Sequence, residues 1–367
     1  MAERPAPCDI LITGTGNLAE RMVCDIATTA PKPLRITIAA RPVERERLEW
    51  LRVAGNSRAA IMSRPVYYET DEVDWSSPEN IAETIRRWQP KLVIHAASVQ
   101  SAAVVYDRVT QWGKVVKVGG LSATVVFQSL LSSRIGKAIQ MAAPDALFCN
   151  CCYPDLTNGV LKGIGLPVVC GFGNIEILAV AFAGELGIRE RGRVRLLAHH
   201  QHLYPFRGPA EERTRRPPRV WIDGKEIDDV YPRFKRVRLT REPAIPISGC
   251  TGVPVIYALS GLTDYVGHVP GPYGRPGGYP VTIKDRRIAL DLPAGVTEQD
   301  AIAFNVAFEL ENGLTVDDAG NLRYHGPLHE TLKGYSPELA AGFNVRDIEK
   351  AYPEMEKLRE KLTAQPV

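Results

Sequence analysis

This sequence lacks three features: a large excess of charge of one sign, long hydrophobic runs and regularly spaced cysteines. Its 45 basic residues nearly balance 42 acidic residues, which leaves a formal net charge of +3. A protein that neutralises a nucleic-acid backbone carries a larger basic excess, so we expect no nucleic-acid partner. No run approaches the ~20 apolar residues that cross a bilayer, and the N-terminus lacks the apolar core of a signal peptide. We therefore expect a cytoplasmic protein without a membrane partner.

The seven cysteines are odd in number and irregular in spacing, which indicates free thiols rather than a disulfide framework. Three of them lie in the run Cys149-Asn150-Cys151-Cys152. Alternate side chains of a strand point to opposite faces, so these thiols do not all converge on one ion. We predict no metal site at this run.

The first half of the chain alternates strand-like and helix-like segments, the pattern of a parallel sheet covered by helices. The 367 residues, 45% of them apolar, suffice for two domains. Beyond Tyr153-Pro154-Asp155 the pattern changes to mixed strands and helices. We predict an α/β fold with a doubly wound parallel sheet in residues 1–155, followed by an α+β substrate and oligomerisation domain in residues 156–367.

Hydrophobic periodicity and breakers place the individual elements. The predicted strands are residues 9–13, 35–40, 66–69, 91–96, 146–151, 168–171 and 194–198. The predicted helices are residues 18–28, 43–54, 80–88, 123–143, 175–186 and 253–265. The remaining predictions are a hairpin around Asp223-Gly224, a loop at 270–280 and a polar tail from residue 345 onward.

A glycine loop, Gly14-Thr15-Gly16-Asn17-Leu18-Ala19, follows the first apolar strand and opens the first helix. In a Rossmann unit the first glycine permits the turn, the second lets backbone amides approach a pyrophosphate, and a small third residue lets helix and strand pack closely. Gly14, Gly16 and Ala19 fill these positions. The loop therefore predicts a Rossmann domain that binds a dinucleotide at the helix N-terminus.

The residue that ends the second strand indicates which dinucleotide binds. An acidic residue there would hold the ribose hydroxyls of NAD, but this chain has Ala40-Arg41-Pro42, with Arg45 and Arg47 close behind. An arginine binds a 2′-phosphate through charge-assisted hydrogen bonds, which favours NADP, with NAD as the alternative. Arg45 and Arg47, mixed with glutamates, are also typical of a solvated helix face.

The order of motifs resembles the lactate/malate dehydrogenase superfamily, which includes the NAD-dependent family 4 glycosidases. Beyond the glycine loop, the segments that carry the resemblance are Ala96-Ala97-Ser98, Ala143-Pro144-Asp145-Ala146, Tyr153-Pro154-Asp155-Leu156-Thr157, Gly165-Leu166-Pro167, Cys170-Gly171-Phe172-Gly173 and Leu186-Gly187. A strand and then His199-His200-Gln201-His202 follow, where the family has its catalytic histidine. The resemblance implies a Rossmann domain, a nicotinamide cofactor and hydride transfer.

Counting from Val194, the family histidine falls on His202, with His200 as the second candidate acid/base. The family's aspartate partner falls near Asn174. The alternatives are strand-end histidines with satisfied hydrogen bonds, or a metal site. The resemblance also implies that Ala97, Ser98 and Asn150 line the cofactor.

Two departures from the family pattern concern the substrate. Its carboxylate-binding arginines are missing, because Ile177 occupies one position and the segment 98–103 contains no arginine. The substrate therefore differs from lactate and malate. Tyr153 replaces the family's asparagine before the proline, so Tyr153 is a candidate substrate contact.

Other candidates for the pocket are His95, at the end of the fourth strand, and Thr251, before the predicted helix at 253–265. A core position for His95 and a helix cap for Thr251 are the alternatives. Glu176 is a further possible partner for a histidine. The arginine-rich segment 207–241 is either a lid that attracts an anionic substrate or a solvated surface.

These observations predict an NADP-preferring oxidoreductase that acts on a small-molecule carbonyl/alcohol pair, as a homodimer or homotetramer. An imine-reducing enzyme, of the opine or saccharopine dehydrogenase type, is the alternative within enzymes. A non-catalytic dinucleotide sensor is the alternative outside them. The glycosidase branch would require Cys170 and His202 as metal ligands, and the local patterns around these residues do not match it well.

Overall fold

The computed structural model describes residues 6–366 of the protein. A six-stranded parallel sheet forms the centre of its N-terminal part. Its strand order is β3-β2-β1-β4-β5-β6. The strands are β1 Ile10–Thr13, β2 Leu34–Ala40, β3 Val66–Glu72, β4 Leu92–His95, β5 Leu147–Asn150 and β6 Val168–Cys170. The strand order reverses between β1 and β4, and ligands of such sheets bind in the crevice at the carboxyl ends of the strands there.

Helices cover both faces of this sheet, as the alternating sequence pattern predicts. They are α1 Asn17–Thr29, α2 Arg45–Ile61, α3 Pro78–Trp88, α4 Gln111–Gly119, α5 Val125–Ala142 and α6 Pro154–Ile164. Each of the seven strands and helices predicted up to residue 96 lies within a few residues of its predicted bounds, except α2, which continues to Ile61. The α/β fold class with a Rossmann sheet is confirmed.

The parallel sheet extends past the boundary predicted at residue 155. Pro154 is the first residue of α6, where its fixed φ and missing N–H are tolerated, so it starts a helix rather than ending the unit. Helix α6 then returns the chain to β6, which pairs in parallel with β5. The sixth strand thus comes from residues assigned to the second domain.

The second part of the chain carries three small antiparallel sheets and further helices. Its strands are β7 Val194–Leu197, β8 Arg219–Ile222, β9 Lys225–Ile227, β10 Tyr265–Pro270, β11 Gly278–Lys284, β12 Arg287–Leu290, β13 Leu314–Val316, β14 Asn321–Tyr324 and β15 Phe343–Asn344. Its helices are α7 Asn174–Glu185, α8 Val230–Arg233, α9 Arg241–Leu259, α10 Glu298–Glu311, α11 Gly326–Tyr335, α12 Pro337–Ala340 and α13 Ile348–Thr363.

The predicted hairpin is present: β8 and β9 are joined by Asp223 and Gly224, both at positive φ. Three other predictions in this part are wrong. The helix expected at 253–265 is α9, which begins at Arg241 and contains Pro246 and Pro254, because packing against α1 and α7 outweighs the local cost of proline. The loop at 270–280 is shortened by β10 and β11.

The third wrong prediction is the polar tail. Helix α13 buries Ile348, Met355, Leu358 and Leu362 at helical spacing. These side chains join the hydrophobic cluster around Trp112 in α4. The C-terminus is therefore part of the core.

One run in the described chain, Gln111–Ala142, is long and apolar enough to cross a membrane by length and composition. The run spans α4, a short 3-10 turn and α5, and 83% of its most apolar window is buried inside the protein. Burial of this kind is typical of the central helices of a globular fold.

Candidate active site

The glycine loop joins β1 to α1 at the point where the strand order reverses. Gly14 has φ +118°, and a Cβ there would lie 2.8 Å from the carbonyl oxygen of Ala96. Only glycine fits both this backbone conformation and this contact. Gly14 thus allows the loop to pass close to the end of β4.

The N-terminus of α1 is open. Gly16 is its N-cap, without a side-chain cap, and a Cβ built on Gly16 would meet no atom within 4 Å. Gly16 and Asn17 are exposed, Leu18 is half-buried, and Ala19 is fully buried against the sheet. The first backbone N–H groups of α1 therefore face open space, an arrangement suited to an anion.

A carboxylate lies between the glycine loop and the end of β2. Thr15 donates to Glu44 (3.3 Å), and Arg41 donates to the other oxygen of Glu44 (3.0 Å). The Arg41 side chain is still 62% exposed. Arg45 pairs with Glu72, and Arg47 binds the Thr15 carbonyl oxygen and Glu20. Of these three arginines, Arg41 is the one that directly follows β2, where a 2′-phosphate was predicted.

The loop after β4 forms the next wall of the crevice. Ala97 accepts a hydrogen bond from the Cys152 thiol (2.9 Å), which ties this loop to the end of β5. Ser98 is half-buried and donates to the Gln100 carbonyl (2.6 Å). Both residues lie at the carboxyl ends of the strands, where they were predicted.

Asn150 does not face the crevice. It is fully buried, accepts from Ser132 (2.9 Å) and donates to Asn158 (2.9 Å). These bonds hold β5 to α5 and α6. The assignment of Asn150 to cofactor contact is thus corrected, because its side-chain amide is fully used inside the protein.

His95 occupies the core position that was its alternative. It is fully buried, its Nδ1 lies 2.9 Å from the Thr13 hydroxyl, and its ring packs on Trp75 (5.7 Å between centroids). Burial lowers the pKa of His95 to about 3. A neutral, enclosed imidazole on this face of the sheet does not reach a substrate in the crevice.

The three histidines after β7 lie on a 3-10 turn, His200–Leu203, which begins at His199 as N-cap. Residues three apart share a side of such a turn. His199 and His202 therefore face inward together, and the backbone N–H of His199 donates to Nδ1 of His202 (2.8 Å). His200 points the other way.

His202 is enclosed. It is 0% exposed and stacks on Phe308 of α10 with 3.7 Å between ring centroids. Burial lowers its pKa well below the usual value. The structure thus corrects the first choice of catalytic histidine, because a ring sealed against an aromatic face has no access to substrate.

His200 is half-buried and lies beside the loop that follows β5. Its ring meets Tyr153 edge-on at 5.6 Å and Tyr204 at 5.9 Å. Its Nδ1 is buried without a hydrogen-bond partner in the described part of the chain. Burial first, and then the charge of Arg207, lower the pKa of His200, so the imidazole is neutral near pH 7. His200 is the histidine of the three that reaches the edge of the crevice.

The Tyr153 ring packs against the His200 ring. It has φ +49°, is 4% exposed, and its hydroxyl lies 3.2 Å from the Ser122 hydroxyl and 3.3 Å from the Gln201 amide. With its hydroxyl engaged, Tyr153 presents only its ring edge to His200. We assign it a positioning role rather than the substrate contact predicted from the sequence.

Asn174 and Asp155 anchor the histidine turn. The Asn174 amide donates to one oxygen of Asp155 (2.7 Å), and the backbone N–H of His200 donates to the other (2.8 Å). Burial raises the pKa of Asp155 to about 6, although both hydrogen bonds lower it. Asn174 thus orients Asp155 and does not contact an imidazole. Asp155 was not among the predicted site residues, although an acidic residue just after a strand end is a usable signal.

A second buried acid lies on the inner side of the turn. Glu309 of α10 is 5% exposed, and its Oε1 lies 3.7 Å from Nε2 of His199. Burial, and then the nearby Asp155, raise the pKa of Glu309 well above its usual value. Burial therefore favours the neutral form of both His199 and Glu309, which suits a structural contact in the core.

Two other candidates lie away from the crevice. Thr251 is in the middle of α9 and donates to the Ser248 carbonyl (2.9 Å), so it neither caps the helix nor faces substrate. Glu176 pairs with His268 (2.7 Å) and Arg191 (2.9 Å), and not with the histidines after β7. Leu196 donates to the other ring nitrogen of His268, which closes this buried pair.

The cysteines of the run 149–152 diverge. Cys149 faces Cys170 on the next strand, with 3.8 Å between sulfurs, and Cys152 faces Ala97. Within residues 6–366, no three His, Cys, Asp or Glu side chains are grouped so that they could hold a metal ion.

The sheet order, the glycine loop at the strand reversal and the following antiparallel domain define the fold as that of a Rossmann-type two-domain protein. No protein-family model matches the chain. No curated protein matches it either.

Solved structures identify which two-domain proteins it is similar to. A lactate dehydrogenase from a Medee basin deep-sea metagenome library has a TM-score of 0.53 at 13% identity, covering 83% of this chain and 98% of the other. The lactate dehydrogenase of Eimeria maxima, solved with NADH and oxamate, has a TM-score of 0.51 at 13% identity, covering 85% and 95%.

A protein of Bacillus subtilis assigned as a glucosidase has a TM-score of 0.54 at 12% identity. This match covers 98% of this chain and 100% of the other. The chain therefore has the fold of these lactate dehydrogenases and of this glucosidase, as the predicted resemblance implies.

Proposed function

We propose that this protein is a nicotinamide-dinucleotide-dependent oxidoreductase, with NADP(H) preferred, that transfers a hydride between nicotinamide and a carbonyl/alcohol substrate. The observation that carries the proposal is the uncapped, open N-terminus of α1 behind Gly16, at the strand reversal of the sheet. Backbone N–H groups there fit the diphosphate of a dinucleotide, and nothing within 4 Å of a Cβ on Gly16 obstructs it.

The residues fit the rest of the dinucleotide as well. Arg41 and Glu44 would lie beside the adenine ribose at the end of β2, and Ala97 and Ser98 would lie beside the nicotinamide half. An exposed Arg41 supports NADP, because it can turn from Glu44 to a 2′-phosphate. The solved relative named with NADH supports a nicotinamide cofactor in this fold.

In the proposed reaction, the nicotinamide supplies the hydride acceptor when bound. His200 replaces His202 as the acid/base: its neutral ring accepts the hydroxyl proton as the C–H bond breaks, and returns that proton in the reverse direction. Asp155 and Asn174 hold the backbone of His200 in place, and Tyr153 supports its ring. We further propose a homodimer or homotetramer in the cytoplasm.

Thermal unfolding with NADPH, NADH and neither ligand tests the cofactor assignment. A ligand at 100 times its Kd stabilises the folded state by about 2.7 kcal/mol. We expect stabilisation by both dinucleotides and a larger effect of NADPH. Absence of any shift with either dinucleotide contradicts the proposal.

A pair of histidine variants tests the catalytic assignment. Turnover of each is measured with a panel of candidate substrates: alcohols, 2-hydroxy acids and amino acids. We expect His200→Asn to lower turnover by about 10²–10⁴-fold with dinucleotide binding intact. His202→Asn should cost stability and retain most turnover per folded molecule. The reverse pattern would restore His202 as the catalyst, and wild-type binding without turnover would favour a dinucleotide sensor.

The coverage of the Bacillus subtilis match favours a second candidate, a glycosidase that uses the dinucleotide. Hydrolysis of aryl glycosides that depends on added dinucleotide would support it. Cys170 and His202, the residues that would bind its metal, are both fully buried. Oxidation of an amine in the same panel would instead indicate the imine-reducing alternative.

A further inference from the structure

Four of the nine arginines of the segment 207–241 form ion pairs on the surface. These four have carboxylate partners: Arg216 with Glu311, Arg219 with Glu226, Arg233 with Asp229 and Arg236 with Glu185. Arg213 is 7% exposed and donates to the carbonyls of Phe234 and Val237. The side chain of Arg241 lies outside the described part of the chain. These five arginines are therefore engaged within the protein.

Arg207 differs from these arginines. It is half-buried and makes no ion pair with any residue between 6 and 366. Its guanidinium lies 4.3 Å from the ring centroid of Tyr204 and 5.2 Å from that of Tyr106. Two aromatic faces fix the position of the guanidinium without using up its five N–H donors.

A second arginine without a carboxylate approaches the same ring. Arg215 lies 6.0 Å from the centroid of Tyr204 and donates to the amide oxygen of Asn312 (3.2 Å). Two positive charges thus meet at Tyr204 without a compensating acid in the described chain. Such a site favours a bound anion, because the repulsion between the arginines is otherwise uncompensated.

This positive site adjoins the proposed catalytic histidine. Tyr204 contacts the His200 ring edge-on at 5.9 Å as well as Arg207. Tyr106 comes from the turn Ala102–Tyr106 in the loop after β4, which closes the site from the opposite side. Arg207 therefore joins the histidine turn to the loop that borders the crevice.

We infer that Arg207, assisted by Arg215 across the Tyr204 ring, binds an anionic group of the substrate on which His200 acts. The inference rests on the proposed function and adds the substrate class: a carbonyl or alcohol that carries a carboxylate or phosphate. A planar guanidinium pairs with either group through two parallel hydrogen bonds. Arg207 supplies the anchor that neither Ile177 nor the segment 98–103 provides.

Anion binding to the protein saturated with NADPH tests the inference, with oxalate and inorganic phosphate as probes in separate titrations at constant ionic strength. We expect one of them to bind, and Arg207→Ala to weaken it by about tenfold or more, the loss of a charge-assisted pair. The tighter probe distinguishes a carboxylate from a phosphate substrate. Arg238→Ala is the matched control, because Arg238 is an exposed arginine of the same segment, whereas the arginines at the Tyr204 ring are Arg207 and Arg215.

Three results would overturn the inference: no binding of either probe to the wild type, equal weakening by both variants, or unchanged binding in Arg207→Ala. Arg207→Lys keeps the charge and loses the planar guanidinium, so its affinity for the anion should lie between those of the wild type and Arg207→Ala. This variant also serves as a second test if Arg207→Ala does not fold. NADPH affinity, measured separately, should be unchanged in all variants. If NADPH does not bind the wild type, the proposed function fails, and the same titrations without dinucleotide still decide whether Arg207 binds anions.

Discussion

The side-chain amide of Asn174 donates to Asp155 across 2.7 Å, in the interior between the parallel sheet and the second part of the chain. The other oxygen of Asp155 accepts the backbone N–H of His200 across 2.8 Å. One buried carboxyl group thereby connects the start of α6, the start of α7 and the histidine turn. The position of His200 depends on this carboxyl group, which binds the backbone of His200 rather than its imidazole.

The first prediction concerns the pH dependence of stability. Burial raises the pKa of Asp155 from 3.8 to about 6, so the folded protein holds this proton more tightly than the unfolded chain. Its contribution to stability is therefore complete below about pH 4 and is lost as the pH rises through 6.

Relative to Asp155→Asn, we expect the wild type to lose about 2 kcal/mol of unfolding free energy between pH 4 and pH 7. Denaturant unfolding at several pH values measures this difference. Glu46→Gln removes an exposed carboxylate and should leave the profile unchanged. Parallel profiles for wild type and Asp155→Asn would show that Asp155 does not titrate with a raised pKa.

The second prediction separates folding from binding in the glycine loop. Gly14→Ala forces a side chain to φ +118° and to 2.8 Å from a backbone oxygen, so we expect a loss of about 2 kcal/mol or more in stability. Gly16 has φ −68° and open space, so Gly16→Ala should fold normally. Its methyl group should weaken dinucleotide binding instead. Equal stability of the two variants in thermal unfolding would contradict this.

The third prediction concerns the choice between NADPH and NADH. Arg41→Ala should weaken NADPH binding about 10- to 100-fold and NADH binding little, because only the 2′-phosphate gains a charge-assisted pair. Glu44→Gln should strengthen NADPH binding, since it frees Arg41 and removes a repelling charge.

Arg45→Ala is the control for this prediction, because Arg45 pairs with Glu72 instead. Nicotinamide fluorescence gives both affinities. Loss of NADH and NADPH binding by equal factors in Arg41→Ala would remove Arg41 as the residue that distinguishes them.

The fourth prediction concerns the C-terminal helix. Met355 is fully buried against the cluster around Trp112, whereas its neighbour Glu354 is exposed. Met355→Ala should cost about 2–5 kcal/mol, and Glu354→Ala should change stability by about 0.5 kcal/mol or less. Chemical denaturation of both variants measures the difference. A small effect at Met355 would mean that α13 is not part of the cooperative core.

The glycine loop could be predicted because its information is local. A turn at positive φ, an open N-cap and a small residue under the helix each require a residue type at a fixed distance along the chain. The hairpin at Asp223-Gly224 was predictable for the same reason. The first part of α9 and helix α13 were not, because their helical state and burial depend on distant packing that outweighs prolines and polar composition.

The choice among the three histidines required the tertiary structure. The sequence places a histidine cluster after β7 but does not say which ring is enclosed. Phe308, about a hundred residues further along the chain, covers His202, and the three-residue period of the turn directs His200 to the other side.

The sequence by itself determined the Rossmann sheet, the uncapped N-terminus of the first helix and the presence of imidazoles near the strand ends, since these follow from local backbone chemistry and hydrophobic period. Only the tertiary structure decided which side chains are exposed, which are sealed, and that Asp155 and Arg207 lie beside His200. Burial and long-range contacts join residues far apart in the chain, and no local pattern encodes such neighbours.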